Sequence, residues 1–253
     1  MISQGLRWYS YPVLDSTNEE AKRLLSQGFG HGTVVEALEQ TKGKGRKGRT
    51  WFSKKGEGLY FTLIVEPQET GEMAAGLTLV MAMAVCRALE EIIPFDRIQI
   101  KWPNDLIINR KKVCGILAEL ILEGSQIQGA ILGVGINLLQ ETFEEELKTK
   151  ATSLYLETGQ VPDVAAFKEA LEHYWMEYYE KYRENKTLEF LREEYQKRLV
   201  NLGQAVRVLD PQGEYEGIAR GITKEGYLIV DTEGQIQHVS SGEVSVRGVY
   251  GYV

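Results

Sequence analysis

Between two strand-like stretches the chain carries GKGRKGRTWF, residues 43–52, and this strand–loop–strand order limits the fold more than any other feature of the sequence. TVVEALEQ (Thr33–Gln40) leads into the loop. LYFTLIV (Leu59–Val65), β-branched and aromatic, follows it. Three phosphate-binding patterns overlap here. Gly43, Gly45 and Gly48 spell G-x-G-x-x-G, residues 43–50 approach a P-loop with Arg49 in place of its lysine, and the same glycines suit the glycine-rich loop of protein kinases. The first two patterns must open a helix, because the helix N-terminus helps to hold the phosphate. TWFSKKGEG and then a strand come next, so neither reading survives. A kinase needs H-R-D-x-x-x-x-N and D-F-G downstream, and the chain has neither. What remains is physical: glycines let backbone N–H groups approach an anion, Lys44, Arg46 and Arg49 add charge, and Trp51 offers a flat face to a base. That set fits a nucleotide together with a small carboxylate.

At 253 residues the chain can fold as one large domain or two unequal ones. Its net charge of −7 gives no support to general nucleic-acid binding, which makes the cations at Lys42, Lys44, Arg46, Lys47 and Arg49 a local feature. Three glycines and five like charges predict a loop with no single compact form when empty. Cys86 and Cys114 are far apart in apolar surroundings and read as reduced core thiols of a cytoplasmic protein. His31, His173 and His238 have no ligand spacing, so a zinc site is not expected, and metal ligands are unassigned. The N-terminus lacks the apolar run of a signal peptide. Ala74–Leu89, which carries Arg87, is too short to span a bilayer, so no membrane association is expected.

The pattern predicts a helix from DSTNEEAKRLL, with overlapping capping boxes at Ser16/Glu19 and Thr17/Glu20. It predicts a second helix over Ala74–Ile93, short strands at RIQIKW and DLIIN, and a pair of long strands, KVCGILAELILEG and QIQGAILGVGINL. Residues 141–156 read as irregular or as short helix. Asp163 caps a helix whose Phe167, Leu171, Tyr174, Tyr178 and Tyr182 recur every three or four residues, and a further helix carries Leu188, Leu191, Tyr195 and Leu199. These aromatics are core. From Gly203 short strands separated by glycine turns predict a small β-barrel, with a boundary near Asn201. The apolar strand Ala130–Ile136 is either a sheet edge that would support a homodimer or a central strand.

Further stretches concentrate polar residues. KWPNDL sets a lysine, an amide and a carboxylate beside a Trp-Pro turn. Lys112 stands at the mouth of an apolar strand, where a lysine is expected to add under about 0.5 kcal/mol to stability, and GVGIN ends in Asn137 after two glycines that permit close backbone approach. STN, EQTKGKGRKGRTW, KWPNDL, KVCGILAE, GVGIN and SGEVSVR, in this order, closely resemble the biotin protein ligases, and the resemblance runs over nearly the whole chain. It implies an α+β catalytic domain, a mixed sheet flanked by helices and related to class II aminoacyl-tRNA synthetases, over residues 1–201. It implies an SH3-like barrel over residues 202–253. It also implies two steps with ATP, biotin and Mg²⁺: formation of biotinyl-5′-AMP, then transfer of biotin to a lysine of a biotin carboxyl carrier protein or domain.

By the same resemblance Ser16, Thr17, Asn18, Gln40, Lys44, Gly45, Arg46, Lys112 and Gly115 meet biotin. Arg46, Arg49, Trp51, Asn104, Lys112, Asn137, Glu243 and Arg247 meet ATP or the adenylate. Lys112 and Arg46 are the catalytic cations, and Asp105 is a candidate to orient or deprotonate the attacking amine. The family usually has arginine where this chain has Lys44, which keeps the charge and loses the planar two-point contact. Larger relatives carry an N-terminal winged helix. Fifteen residues before Ser16 hold no such domain, so DNA binding is not expected. Lipoate or octanoyl ligases share the fold, but KWPND and the glycine–arginine loop argue against them. Lys112 and Arg46 together argue against a non-catalytic sensor.

Overall fold

The computed structural model describes residues 5–66, 71–92, 97–124, 126–210, 213–241 and 245–248. Strands β1 (Arg7–Tyr11), β2 (Thr33–Ala37), β3 (Gly58–Val65), β4 (Ile98–Lys101), β5 (Asp105–Ile108), β6 (Lys111–Glu123) and β7 (Gln126–Asn137) form one sheet in the order β1-β2-β3-β7-β6-β5-β4. The β1–β2 pair is parallel and the remaining pairs are antiparallel, which makes the sheet mixed. β7 lies between β3 and β6, so Ala130–Ile136 is central and is not a dimerisation edge. Strand β1 was not among the expected strands, and it pairs with β2 along its full length.

Helices cover both faces of this sheet. Helix α1 (Thr17–Ser26) packs Ala21 and Leu24 onto Val35, Ile64 and Ile131. On the opposite face α2 (Gly71–Glu90), α4 (Val164–Asn185) and α5 (Glu189–Arg198) enclose the main core with Leu59, Phe61, Leu63, Leu132, Val134 and Ile136. Residues on a strand alternate between faces, so Val134 and Ile136 enter that core while Gly133, Gly135 and Asn137 turn to the side of α1. α2 ends at Glu90, and Ile93, its expected end, lies outside the described residues.

Asp163 caps α4 as expected, its carboxylate accepting from the Ala165 and Ala166 amides, and Phe167, Leu171, Tyr178 and Tyr182 are buried. At α1 the capping boxes do not form. Ser16 makes no side-chain cap bond, the Ser16 and Thr17 amides donate instead to Asp15 Oδ1 and Gln40 Oε1, and the carboxylates of Glu19 and Glu20 pair with Lys22, Lys44 and Arg23. Helix α3 (Leu154–Thr158) is a single turn. Cys86 and Cys114 are buried and free, as expected of core thiols.

β8 (Ala205–Asp210), β9 (Gly213–Ile222), β10 (Leu228–Thr232), β11 (Gln235–Val239) and β12 (Ser245–Gly248) form a second, antiparallel sheet in the order β11-β10-β9-β8-β12, consistent with an SH3-like unit. It shares one core with the first: Val206, Leu228 and Val230 belong to the cluster that holds Trp102 and Leu188. The Trp102 indole N–H donates to the Gly226 carbonyl (3.0 Å), and the Trp102 amide donates to Asn201 Oδ1 (2.9 Å). No described helix is long and apolar enough to cross a membrane.

Candidate active site

Two cavities meet on the α1 side of the large sheet. The smaller, about 40 Å³, is lined by Ser16, Thr17, Asn18, Gln40, Gly115 and the strand glycines of β7. The larger, about 580 Å³, is lined by residues that include Arg49, Lys101, Asn104, Asp105, Arg247, Asn137, Gln140, Phe143, Leu147 and Ala151. Gly45, Arg46, Trp51, Asn104 and Lys112 border both.

The small cavity is a polar cup on a glycine floor. Ser16, Thr17 and Asn18 are buried at the start of α1. The Thr17 amide and hydroxyl both donate to Gln40 Oε1 (2.8 and 3.0 Å), and Gln40 Nε2 donates to the Ser53 hydroxyl (2.8 Å). Asn18 Nδ2 donates to Glu119 (2.6 Å), and Asn18 Oδ1 stands 2.7 Å from the Thr62 hydroxyl. Gly115 and Gly135 are cross-strand partners, and the Trp51 indole rests directly on both. A Cβ at Gly115 would stand 2.7 Å from Lys112 Nζ and 2.9 Å from the Trp51 ring. A Cβ at Gly133 would run into the Asn18 amide oxygen. Only glycine leaves this floor open.

Lys112 occupies the junction. Its ammonium is 2.5 Å from Asp105 Oδ1 and 5.1 Å from the centre of the Trp51 ring. It is not the ordinary hairpin lysine: the ion pair is three-quarters buried or more on both sides, so it contributes more than an exposed lysine does. Asp105 therefore serves Lys112 as a counter-ion in this state.

In this structure the glycine-rich loop is folded as a compact hairpin. The Gly45 amide donates to the Arg49 carbonyl (2.7 Å), the Trp51 amide to the Gly43 carbonyl (2.9 Å), and Lys44 Nζ reaches Glu19 at 2.6 Å. Lys47 takes a left-handed backbone (φ 56°) within the tight turn Arg46–Gly48. Arg46 ties the loop across the site, donating to Asn104 Oδ1 (3.0 Å) and to the Ser241 carbonyl of the C-terminal sheet region (2.5 Å). Burial pulls the Arg46 guanidinium below the ordinary arginine value, with nearby Asp105 acting in the opposite direction.

The structure thus gathers Ser16, Thr17, Asn18, Gln40, Gly45, Arg46, Arg49, Trp51, Asn104, Asp105, Lys112, Gly115, Asn137 and Arg247 around the two cavities. Lys44 also borders the small cavity, with its ammonium turned to Glu19. Glu243 lies outside the described residues. Three participants were not on the expected list. Lys101 is 5 % exposed and lines the large cavity, and its pKa is pushed down to about 8, by burial first, with Lys112, Arg247 and Arg49 adding repulsion and Asp105 opposing it. It stands in KWPNDL, the stretch that carried the signal. Gln140 and the wall of residues 142–151 are the other two. That wall is strapped to the Lys112 strand by the bonds Lys112 N–H to Lys150 O (2.7 Å) and Thr152 N–H to Lys112 O (2.9 Å), a long-range pairing with no local sequence mark.

Comparison with known proteins identifies the family of the chain. Residues 10–137 match the model of the biotin/lipoate A/B protein ligase family, and residues 202–247 match that of the biotin protein ligase C-terminal domain. The chain is 34% identical to the "Bifunctional ligase/repressor BirA" of Bacillus subtilis (strain 168), over 93% of this chain and 73% of that protein. It is 33% identical to the "Biotin--[acetyl-CoA-carboxylase] ligase" of Paracoccus denitrificans, over 92% of this chain and 98% of that protein. Among solved structures, a biotin protein ligase from Aquifex aeolicus in complex with biotin and ATP superposes with a TM-score of 0.83 at 34% identity, covering 96% of this chain and 99% of that one.

Proposed function

This chain belongs to the biotin protein ligases of the biotin/lipoate A/B protein ligase family, and from that membership and the site geometry we propose that it is a cytoplasmic, ATP-dependent biotin protein ligase. It would convert biotin to biotinyl-5′-AMP and pass biotin to a lysine of a biotin carboxyl carrier protein or domain. Residues 1–201 would carry the chemistry, and residues 202–253 would supply Arg247 and the anchor for Arg46. One observation carries the reading: a polar cup for a small acid and a nucleotide-sized cavity share a border, and Lys112 and Arg46 stand on it.

In the first step a carboxylate oxygen of biotin attacks the α-phosphorus of ATP, the bond from that phosphorus to the bridging oxygen breaks, and pyrophosphate leaves. Two anions must approach each other, so cations fixed in advance lower the barrier most. Lys112 faces both substrates, Arg46 closes the loop side, and Lys101, Arg49 and Arg247 line the path of the departing phosphates. Among the described residues no group of three or more His, Cys, Asp or Glu could hold a metal ion. Mg²⁺ therefore fits as part of the MgATP substrate, liganded by phosphate oxygens and water. Bound in that way it would offset charge on the pyrophosphate.

Biotin entry requires the loop to lift, since Trp51 covers the Gly115–Gly135 floor and the remaining cup is too small for a bicyclic ring. Once the ring is seated, Trp51 would turn to the nucleotide. In the second step the carrier lysine attacks the acyl carbon, AMP leaves, and the amine loses a proton. Asp105 would orient that amine or accept the proton after Lys112 has turned to the phosphate. The deciding experiment is exchange of labelled pyrophosphate into ATP. Exchange should depend on biotin and Mg²⁺ and should not occur with lipoate. Exchange with lipoate and none with biotin would overturn the assignment.

A further inference from the structure

We propose that Glu119, which lines neither cavity, is a positioning residue for biotin: its carboxylate turns the Asn18 amide oxygen into a row of polar groups at the small cavity, and this leaves the row one proton short, a place that a ureido N–H of biotin fills. The inference rests on the reading of the small cavity as the biotin site.

The row is anchored at both ends. Asn18 and Lys22 stand one turn apart on α1, and both reach Glu119 of β6. Lys22 Nζ donates to Glu119 Oε1 (2.9 Å), and Asn18 Nδ2 donates to Glu119 Oε2 (2.6 Å). A carboxylate oxygen only accepts, so Asn18 shows it Nδ2 and sends Oδ1 the other way, to the Thr62 hydroxyl at 2.7 Å. Thr62 Oγ1 is in turn 2.8 Å from Thr17 Oγ1, which is 3.0 Å from Gln40 Oε1. Gln40 is fixed as firmly as Asn18: its Oε1 accepts from the Thr17 amide (2.8 Å), and its Nε2 donates to the Ser53 hydroxyl (2.8 Å).

Four oxygens in line make three contacts, and only the two threonine hydroxyls bring protons to them. With the Thr17 proton on Gln40, the Thr62 proton serves either Asn18 or Thr17, and one contact stays bare. Thr17 and Gln40 line the small cavity, and Thr62 does not, so a ligand joins the row at the Thr17–Gln40 end. A ligand N–H received by Gln40 Oε1 frees the Thr17 proton for Thr62. The Thr62 proton then goes to Asn18, and every contact is served, as buried polar groups require. A ureido N–H is such a donor.

Glu119→Gln keeps the shape of the side chain and reverses the row. The Lys22 ammonium only donates, so it takes the substituted amide's oxygen and turns that amide's nitrogen towards Asn18. Asn18 then presents Oδ1 to it and Nδ2 to Thr62. The row gains its third proton from Asn18 itself, and no place is left for the ligand. Calorimetric titration with biotin alone should show the Kd raised about tenfold in Glu119→Gln, roughly the effect of one hydrogen bond. Thr62→Val breaks the row between Asn18 and Thr17, so adding Glu119→Gln to it should change the Kd by less than about twofold. The stoichiometry of the titration reports the folded fraction apart from the Kd, so partial destabilisation of a variant does not obscure the result. A wild type that does not bind biotin would overturn the proposed function. Biotin bound equally by Glu119→Gln and the wild type would overturn the role of Glu119. So would a loss of affinity that is as large in the Thr62→Val background as without it, since the effect would then bypass the row.

Discussion

Lys101→Met removes a cation that the fold holds in an unfavourable place. Lys101 is 5 % exposed and its pKa falls from 10.5 to about 8. At about 1.4 kcal/mol per pH unit, its charged form is destabilised in the native state by about 3 kcal/mol. The folded value lies below the unfolded one, so between about pH 8 and 10.5 the native state binds fewer protons than the unfolded chain. The wild type therefore gains stability as pH rises through that window, and the penalty is fully present below it. Methionine has similar length and carries no charge. The variant should be about 3 kcal/mol more stable than the wild type at pH 6.5, and the gain should shrink to about 1 kcal/mol near pH 10. Urea unfolding at the two pH values measures both numbers. Activity should move in the opposite direction. A phosphate group would add a counter-charge to that of Asp105, and losing one charge-assisted bond of about 1.5–3 kcal/mol raises the KM for ATP about ten- to over a hundredfold. A variant less stable than the wild type at pH 6.5, by a margin that does not change with pH, would refute the electrostatic reasoning. An unchanged KM for ATP would remove Lys101 from the phosphate site.

Lys112→Ala should abolish adenylate synthesis and cost about 1–2 kcal/mol, because it removes the largely buried ammonium that pairs with Asp105. Adding Asp105→Asn should restore part of that stability, which chemical denaturation of the double-mutant cycle would show. Arg46→Gly unhooks the loop from Asn104 and Ser241. It should still form some adenylate but release it early, so that serum albumin incubated with ATP, biotin and the variant becomes labelled on a biotin blot. Unlabelled albumin alongside measurable adenylate synthesis would exclude the loop as the lid. Gly133→Ala pushes a methyl group into the Asn18 amide, which Glu119 and Thr62 hold from the other side. At about 1–3 kcal/mol for such overpacking, the Kd for biotin should rise at least about fivefold in calorimetry, with ATP binding little changed.

The sequence determined what depends on near neighbours along the chain. Strand–loop–strand order excluded the helix-opening phosphate motifs. Spacing of three and four placed Phe167, Leu171, Tyr178 and Tyr182 in the core, and the short strands after Gly203 marked the second sheet. The alternation in GVGIN sends Val134 and Ile136 to the core, and so it also placed Gly133, Gly135 and Asn137 together on the opposite face. Pairings between distant residues decided the rest. The capping boxes of α1 fit every local rule, yet Lys44, 25 residues beyond Glu19, takes part of the carboxylate that would have closed one of them. The glycine-rich loop has no regular pattern in the sequence, and in the structure Arg46 ties it to Ser241, 195 residues away. Lys101 looks like any lysine ending a strand until burial among Lys112, Arg247 and Arg49 lowers its pKa. Gln140 has no motif at all. It reaches the cavity wall through Asn137, whose amide donates to the Thr152 carbonyl on another segment. Spacing encodes which face of an element a residue occupies, whereas desolvation, counter-charge and the direction of an amide belong to the surroundings that only the folded chain assembles.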